Sequence, residues 1–421
     1  MAYFGKKLQI KNNHLFWENN TPFFLLADTF WYGLTKRVSL KDFETIIQKR
    51  KAQGFTAIQL VVGPPPETSV VDDNARSTNG VLPFHKDCTV NPAYFTDIQP
   101  KLEILIKHQL VPIIYGSWGN HIDIVGETGM LQLWQQIIKM TQKYPAIYSV
   151  TGEVDIFPVN PELKTSFAMK LLHKITPLRK AHSLSRKFQN QGLLGIRLAS
   201  WQQIAKQIQK LNKAHHPLMV HPHAAKLASE LFTDTSWIDI DTFQSGHSPQ
   251  QGDENMNRNF TKAKLGNKPY LNLEPLYEGI MNQTDITLQQ SAFWQSIFAG
   301  AAGHCYGAHG IWQFADHDNF MQHWGESYWK ESLEYPGAVS LGKAKQWLES
   351  EFKESWINFR EGEQPISGIC GNKLVKYLPD PTSQSTEILG YKLSAAYDTT
   401  TYKTITLARY NKPTILVYKQ V

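Results

Sequence analysis

The chain has 421 residues, a length that suits one large barrel domain with a small appendage better than a single small domain. Apolar residues make up 42% of the chain and charged residues only 19%, so a sizeable core is available and the composition argues against a disordered chain. The net charge of +6 is spread thinly, without a dense Lys/Arg run interleaved with aromatic residues, which argues against nucleic-acid binding.

The cysteines and the apolar segments bear on the cellular compartment. Cys88, Cys305 and Cys370 form an odd, scattered set that predicts neither a disulfide framework nor a zinc site. The first residues lack the apolar core of a signal peptide, and no run of 18 apolar residues predicts a membrane span. We therefore expect a cytoplasmic protein by default, with signal-independent export as the alternative. The sequence predicts no oligomeric state.

The chain begins with a predicted hairpin at residues 8–17, which turns at Asn12 and Asn13. Eight apolar runs then predict strands, at 23–28, 56–62, 111–115, 146–150, 217–220, 238–243, 269–273 and 303–306. Between them, helical spacing and capping residues predict helices at 40–53, 98–108, 130–144, 288–299 and 339–352. A long helical stretch before residue 212 is expected to break near Gly192 and Gly195, and residues 63–91 form a polar, Pro-rich loop.

Eight strand-helix units predict an α/β fold of the (β/α)8 TIM-barrel type. A doubly wound open sheet is the alternative, because the pattern alone cannot close a barrel. Four further runs without helices between them, at 373–377, 387–392, 403–410 and 413–418, predict a small C-terminal antiparallel β-sandwich-like domain. We accordingly expect a barrel with its hairpin over residues 1–350 and the β domain over 351–421.

Polar and aromatic residues follow the predicted strands at their carboxyl ends, where barrel enzymes place their active sites. One such residue is most often a loop anchor or a helix cap, but a ring of them around all eight strand ends indicates a binding site. In strand order, the candidates are Asp28, Trp31, Gln59, Trp118, His121, Glu153, His221, His223, Gln244, His247, Glu274, Tyr277, Glu278, His304 and Trp312.

Two of these candidates are carboxylates that come directly after apolar strands, Glu153 after strand four and Glu274 after strand seven. Glycosidases need one carboxylic acid to protonate the leaving oxygen and one carboxylate to attack or to activate water. Asp155 competes with Glu153 for its role, and Glu278 competes with Glu274. The structural alternative for each carboxylate is a helix cap or an ion pair.

The His221-Pro-His223 pair has the spacing of a metal-binding motif. Metal-dependent barrel hydrolases usually place such a pair on the first strand, where this chain has Asp28, so we predict no metal and no other cofactor. Trp118 and Trp312 are the best candidates for a surface on which a sugar ring stacks, with core packing as the alternative.

The chain resembles the apiosidase-like glycoside hydrolases over residues from about 8 to 350. The resemblance is carried by Phe24-Leu-Leu-Ala-Asp-Thr-Phe-Trp31, Gly54-Phe-Thr-Ala-Ile-Gln59, Thr151-Gly-Glu153, Asn272-Leu-Glu-Pro-Leu-Tyr-Glu-Gly279 and Ala302-Gly-His-Cys-Tyr-Gly307. It implies a TIM barrel with a small β-sandwich, related to the retaining barrel glycosidases. In that clan the acid/base follows strand four and the nucleophile ends strand seven, the positions of Glu153 and Glu274 here.

We therefore predict a glycoside hydrolase that acts on a carbohydrate with Glu274 as nucleophile and Glu153 as acid/base, separated by the short distance of retaining enzymes. His247 or Tyr277 would orient the nucleophile, and the sugar would be held by Asp28, Gln59, His121, His221 and Trp312. Two alternatives stay open, an inactive carbohydrate-binding barrel and a metal-dependent hydrolase that uses His221 and His223. Neither the sugar nor the linkage is predicted.

Overall fold

The computed structural model describes residues 5–156, 176–223, 226–283, 285–364, 366–380, 387–406 and 412–421, with the backbone alone for 176–191. The predicted hairpin is present as β1 (Leu8–Lys11) and β2 (His14–Trp17), which pair in antiparallel register. Asn12 and Asn13 have φ values of +48° and +59°, the left-handed conformation of a two-residue hairpin turn.

Eight short parallel strands form the barrel, and their side chains are buried. They are β3 (Leu25–Phe30), β4 (Ala57–Val61), β5 (Val111–Tyr115), β6 (Ile147–Ser149), β7 (Leu218–Met219), β8 (Asp241–Gln244), β9 (Tyr270–Glu274) and β10 (Gly303–Cys305). Six of them lie in the order β10-β3-β4-β5-β6-β7, and β8 pairs with β9. Backbone hydrogen bonds join the two sets, among them those from Asp239 N to Leu218 O at 2.8 Å and from Ala302 N to Tyr270 O at 3.0 Å. The predicted barrel is thus confirmed.

The helices of the barrel layer are α1 (Leu40–Ala52), α2 (Pro92–Lys107), α3 (Ile122–Thr141), α4 (Thr176–Leu211), α5 (Pro249–Ala263), α6 (Ile286–Ala299), α7 (Trp329–Ser332) and α8 (Pro336–Phe352). Within the described residues, no helix has both the length and the apolar character needed to cross a membrane.

The helix predictions need several corrections. Helix α3 begins at Ile122, well before the predicted start at residue 130. Helix α5 was not expected, because its buried face carries little more than Met256, Phe260 and Ala263 in an otherwise polar segment. Helix α2 begins earlier than predicted, since the Asn91 side chain accepts a hydrogen bond from Ala93 N and caps it. Helix α4 continues through Gly192 and Gly195, because glycine inside a helix costs only about 1 kcal/mol and does not by itself end it.

The C-terminal region is one five-stranded antiparallel sheet in the described residues, in the order β11-β12-β13-β15-β14. Its strands are β11 (Arg360–Glu361), β12 (Ser367–Cys370), β13 (Lys373–Leu378), β14 (Tyr391–Asp398) and β15 (Thr414–Gln420). One face, with Val375 and Val417, joins the barrel core, and the other, with Leu374 and Leu416, forms a small separate cluster. The predicted strand at 403–410 is not formed over 403–406, and its end lies outside the described residues.

Candidate active site

The two predicted carboxylates lie at the carboxyl ends of β6 and β9. Glu274 is the last residue of β9, and Glu153 follows β6 by four residues. Glu153 has a φ of +37°, a left-handed conformation that costs a residue with a side chain about 1–3 kcal/mol and is concentrated at functional sites. The backbone around Glu153 is held in place, since Val154 N donates to His221 O at 2.9 Å.

Three side chains surround the carboxylate of Glu153. The indole Nε1 of Trp118 donates to its Oε2 at 3.0 Å, and Nε2 of Gln244 donates to its Oε1 at 3.0 Å. Nε2 of His223 lies 3.7 Å from the same Oε1, on a half-exposed ring at the rim of the site. Both oxygens of Glu153 are therefore oriented by residues from the ends of other barrel strands.

The position of Trp118 depends on Gly152 and His121. A Cβ atom on Gly152 would overlap the Trp118 ring, so only glycine lets the indole lie against this backbone. Nδ1 of His121 accepts from Trp118 N at 3.2 Å, and its Nε2 donates to Thr68 O at 2.8 Å. His121 is fully buried, so it supports the site from behind, which corrects the expectation that it contacts sugar.

Glu274 lies between two histidines. Nε2 of His247 is 3.3 Å from its Oε1, and Nε2 of His221 is 3.4 Å from its Oε2, without the geometry of a hydrogen bond. The Tyr277 ring packs against His247 with centroids 4.5 Å apart. A Cβ on Gly307 would overlap that Tyr277 ring, so a small residue after β10 is what admits the tyrosine.

His221 is enclosed by aromatic rings and has no exposed surface. Its ring centroid lies 6.2 Å from that of Trp31, 5.9 Å from Tyr115 and 6.0 Å from Trp118. Burial lowers the pKa of His221 to about 4, so the ring is neutral at neutral pH. Because Trp118 binds Glu153 and also packs on this ring beside Glu274, the structure brings the two carboxylates into one site.

The environments of the two carboxyl groups move their pKa values in opposite directions. Burial, reinforced by the charge of Glu274, raises the pKa of Glu153. Burial acts on the pKa of Glu274 in the same sense, but contacts with neighbouring side chains, His247 foremost, together outweigh burial, and the net result is a lowered pKa. We assign this lowering to His247 rather than His221, because the His221 ring is already neutral.

Trp31 and Trp312 lie next to the site but are nearly buried, with 1% and 5% of their surface exposed. The Trp312 ring centroid is 6.4 Å from that of Tyr277, and its Nε1 donates to His309 Nδ1 at 3.3 Å. Both indoles thus shape the floor and wall of the site and offer a ligand little more than an edge.

Asp28 and Glu278 do not reach the site. Nε of Arg50 donates to Oδ2 of Asp28 at 2.5 Å, and both side chains are fully buried. Glu278 accepts from the Tyr306 hydroxyl at 2.6 Å and from Gly337 N at 3.0 Å, also in the core. This corrects the expectation that Asp28 and Glu278 bind substrate, and it leaves Glu274, at the end of β9, as the carboxylate that shares the site with Glu153.

Gln59 is also occupied within the barrel. Its Nε2 donates to Thr29 Oγ1 at 2.8 Å and to Leu273 O at 3.0 Å, and its Oε1 accepts from the Tyr115 hydroxyl at 2.5 Å. With every polar atom paired inside the core, Gln59 braces the strands that carry the site and does not contact a sugar.

His304 and Asp155 are also engaged in contacts within the protein. His304 is fully buried beside Phe293, its Nδ1 is 3.2 Å from Ser296 Oγ, and burial lowers its pKa to about 3. Asp155 accepts a hydrogen bond from His223 N at 2.6 Å, which makes it an anchor for the loop after β7. His304 is thus corrected to a core residue, and Asp155 is not placed to act beside Glu274.

The His221 and His223 side chains do not converge on a common point, since one faces Glu274 and the other Glu153. Among the residues that the structure describes, no group of three or more His, Cys, Asp and Glu side chains is arranged to hold a metal ion. The expectation of a metal-free site stays a prediction.

Two site residues were missed in the sequence. Tyr115 ends β5 and packs on His221, and the rule that selected the other strand ends would have found it. Trp324 lies in the long loop after β10, with its ring centroid 5.8 Å from that of His247. Nothing in its sequence position signals that contact, because loop conformation decides it.

Comparison with known proteins identifies the family to which the chain belongs. The sequence profile described as "Apiosidase-like, catalytic domain" matches residues 10–354. A solved structure titled "Glycoside hydrolase" is similar with a TM-score of 0.71 at 16% identity, covering 99% of this chain and 97% of that chain. A glycoside hydrolase family 5 structure from Bacteroides vulgatus ATCC 8482 also gives 0.71 at 16% identity, covering 99% and 94%. No curated protein matched the chain. The chain therefore belongs to the apiosidase-like family of glycoside hydrolases, and it is a glycosidase.

Proposed function

We propose that this glycosidase cleaves an O-glycosidic bond by double displacement with retention of anomeric configuration. The observation that carries the proposal is the contrast between two carboxyl groups in one site, since the pKa of Glu153 is raised and that of Glu274 is lowered. Pairs of titratable groups whose pKa values are pushed apart in this way mark the acid and the base of a reaction.

In the first step, a carboxylate oxygen of Glu274 attacks the anomeric carbon. The bond from that carbon to the glycosidic oxygen breaks, and the proton held by Glu153 passes to the leaving oxygen. The product is a glycosyl ester of Glu274 and a free alcohol. Glu153, now ionised, lies where a water molecule can replace the departed group.

In the second step, Glu153 accepts a proton from that water while the water oxygen attacks the anomeric carbon. The ester bond to Glu274 breaks, the sugar leaves with a hydroxyl group, and both side chains return to their starting protonation states. Two inversions give net retention.

The surrounding residues support these roles. Trp118 and Gln244 bind the two oxygens of Glu153 and hold it in a strained backbone conformation. His247 stabilises the ionised form of Glu274 and orients it. His223, half-exposed at the rim beside Glu153, is placed to contact the departing group. No step requires a cofactor.

The proposal is tested with Glu274→Ala on the best substrate from a panel of aryl glycosides. We expect turnover to be lost and then restored by azide, which replaces the missing nucleophile and gives a glycosyl azide. Glu254→Gln is the matched control, because Glu254 is an exposed glutamate on α5 away from the site, and this variant should keep full activity.

Glu153→Ala tests the proposed role of Glu153 as acid/base. It should slow hydrolysis of substrates with poor leaving groups far more than of substrates whose leaving group needs no proton. If Glu274→Ala keeps its activity, or chelators abolish the activity of the native protein, the two-carboxylate proposal is wrong. Sugar binding without any hydrolysis across the panel would instead favour an inactive binding barrel.

A further inference from the structure

The tryptophans around the catalytic site differ in how much of the ring a ligand can reach. Trp31, Trp118 and Trp312 are 1%, 3% and 5% exposed, whereas Trp324 is only partly buried. A sugar stacks on the open face of an aromatic ring, so an indole that is enclosed on both faces cannot bind a sugar in this way. Trp324 is therefore the tryptophan of this group with surface available to a substrate.

Trp324 is held over the mouth of the barrel by a contact with an opposite loop. Its Nε1 donates to Oε1 of Glu67 at 2.8 Å, and Nε2 of the neighbouring His323 lies 3.0 Å from Oε2 of the same carboxylate. Glu67 belongs to the loop after β4, so the contact ties the loop after β10 to it. The indole is thereby fixed in orientation before a ligand arrives, which reduces the entropy cost of binding.

Glu67 is itself anchored on both sides. The Tyr32 hydroxyl donates to Pro66 O, and Nε2 of His121 donates to Thr68 O at 2.8 Å. Glu67 has a φ of +57°, a conformation that a residue with a side chain keeps only when its surroundings impose it. The carboxylate that holds Trp324 is therefore part of a rigid support.

Hydrogen bonds from the wall of the site hold the loop that carries Trp324 in place. Trp312 Nε1 donates to Nδ1 of His309, and Nε2 of His309 donates at 2.9 Å to the carbonyl of Gly325, the residue after Trp324. Gly325 has a φ of +109°, which favours glycine, so the chain can turn directly behind the indole.

The contacts of Trp324 place it on the side of the nucleophile. Its ring lies 5.8 Å from that of His247, whose Nε2 faces Glu274. Within the described residues, none of the ring contacts of Trp324 involves Trp118, the aromatic partner of Glu153. In double displacement the leaving group lies against the acid, while the transferred sugar stays bound to the nucleophile.

We propose that Trp324, clamped by Glu67, is a specificity-determining stacking surface for the sugar on the transferred side of the scissile bond. The inference rests on the proposed function and deepens it. Removal of the indole should weaken both the reaction and the binding of the free sugar that the reaction releases. The leaving group should not alter the size of that effect.

The test compares Trp324→Ala and Trp324→Phe on two aryl glycosides that share one sugar and differ in leaving group. Trp324→Ala should lower kcat/KM roughly tenfold on both, and should raise by a similar factor the inhibition constant of the released monosaccharide. Trp324→Phe keeps a ring and should lose much less. Glu67→Ala should give part of the Trp324→Ala effect, because the indole remains but is no longer held.

His317→Ala is the matched control, since His317 is exposed on the same loop and packs on Tyr328 instead of the site. It should leave kcat/KM unchanged. A Trp324→Ala variant within twofold of the native protein in both constants overturns the inference. So does a loss that varies with the leaving group while the inhibition constant is unchanged, because Trp324 would then serve the departing group.

A binding measurement tests the role of Trp324 independently of the proposed mechanism. Binding of a monosaccharide panel to Glu274→Gln, measured by calorimetry with and without Trp324→Ala, does not depend on turnover. Weaker binding in the double variant supports the role of Trp324 even if hydrolysis is not by double displacement, and equal binding contradicts it.

Discussion

The indole ring of Trp118 occupies the space that a side chain at Gly152 would fill. Because Nε1 of this indole donates to Oε2 of Glu153 at 3.0 Å, the glycine determines where the carboxyl group of the next residue points. The Thr-Gly-Glu sequence after β6 is thus a structural unit, in which the missing side chain of Gly152 makes room for the ring that binds the Glu153 carboxyl group.

Gly152→Ala should therefore damage activity more than stability. Displacement of the Trp118 ring removes a hydrogen bond to Glu153 and shifts the acid, and misplacement of about 1 Å can cost on the order of 100-fold in rate. Gly192→Ala is the control, because a Cβ there meets nothing within 4 Å and its helix should be unharmed. Equal kcat/KM for both variants would show that Gly152 has no such role.

The pH dependence of kcat/KM should be bell-shaped, because the proposed double displacement needs Glu274 ionised and Glu153 protonated. Activity falls as the pH drops through the pKa of Glu274, which is lowered, and falls as the pH rises through the pKa of Glu153, which is raised. The pH range of high kcat/KM should therefore extend further on both the acid and the alkaline side than it would for two glutamates with ordinary pKa values. In Glu153→Gln, measured on a substrate with a good leaving group, the alkaline limb should disappear while the acid limb stays.

His247→Ala should move the acid limb of this profile. Loss of the imidazole removes the main contact that lowers the pKa of Glu274, so the pKa of that carboxyl should rise and the limb should shift to higher pH. The alkaline limb, which reports Glu153, should move much less. An unshifted acid limb would show that a group other than His247 lowers the pKa of Glu274.

Much of the barrel and its candidate catalytic pair could be predicted from the sequence, because apolar runs mark buried strands and the strand ends place Glu153 and Glu274. The same rule also selected Asp28 and Glu278 as site residues. They are equally close to strand ends but point into the core. Their partners, Arg50 and Tyr306, come from distant parts of the chain, so only tertiary structure distinguishes a buried network from a ligand-binding surface. Trp324 was missed for the same reason.

The buried pair of Asp28 and Arg50 should contribute to stability. Arg50→Met leaves the Asp28 carboxyl without its partner in the core, which should lower the free energy of unfolding by about 3–5 kcal/mol in urea denaturation. Lys36→Met, which breaks the exposed pair with Asp73, should change the free energy of unfolding far less, because water screens that pair. If Arg50→Met unfolds like the native protein but binds substrate weakly, Asp28 has the substrate-binding role that its burial argues against.

The anomeric configuration of the first-formed product distinguishes double displacement from single displacement by water. Proton NMR spectra recorded in the first minutes of hydrolysis, before mutarotation, distinguish the two anomers of the released sugar. The double displacement by Glu274 and Glu153 predicts that the product first appears with the configuration of the substrate. First appearance of the opposite anomer would show a single displacement by water and would contradict the role of Glu274 as nucleophile.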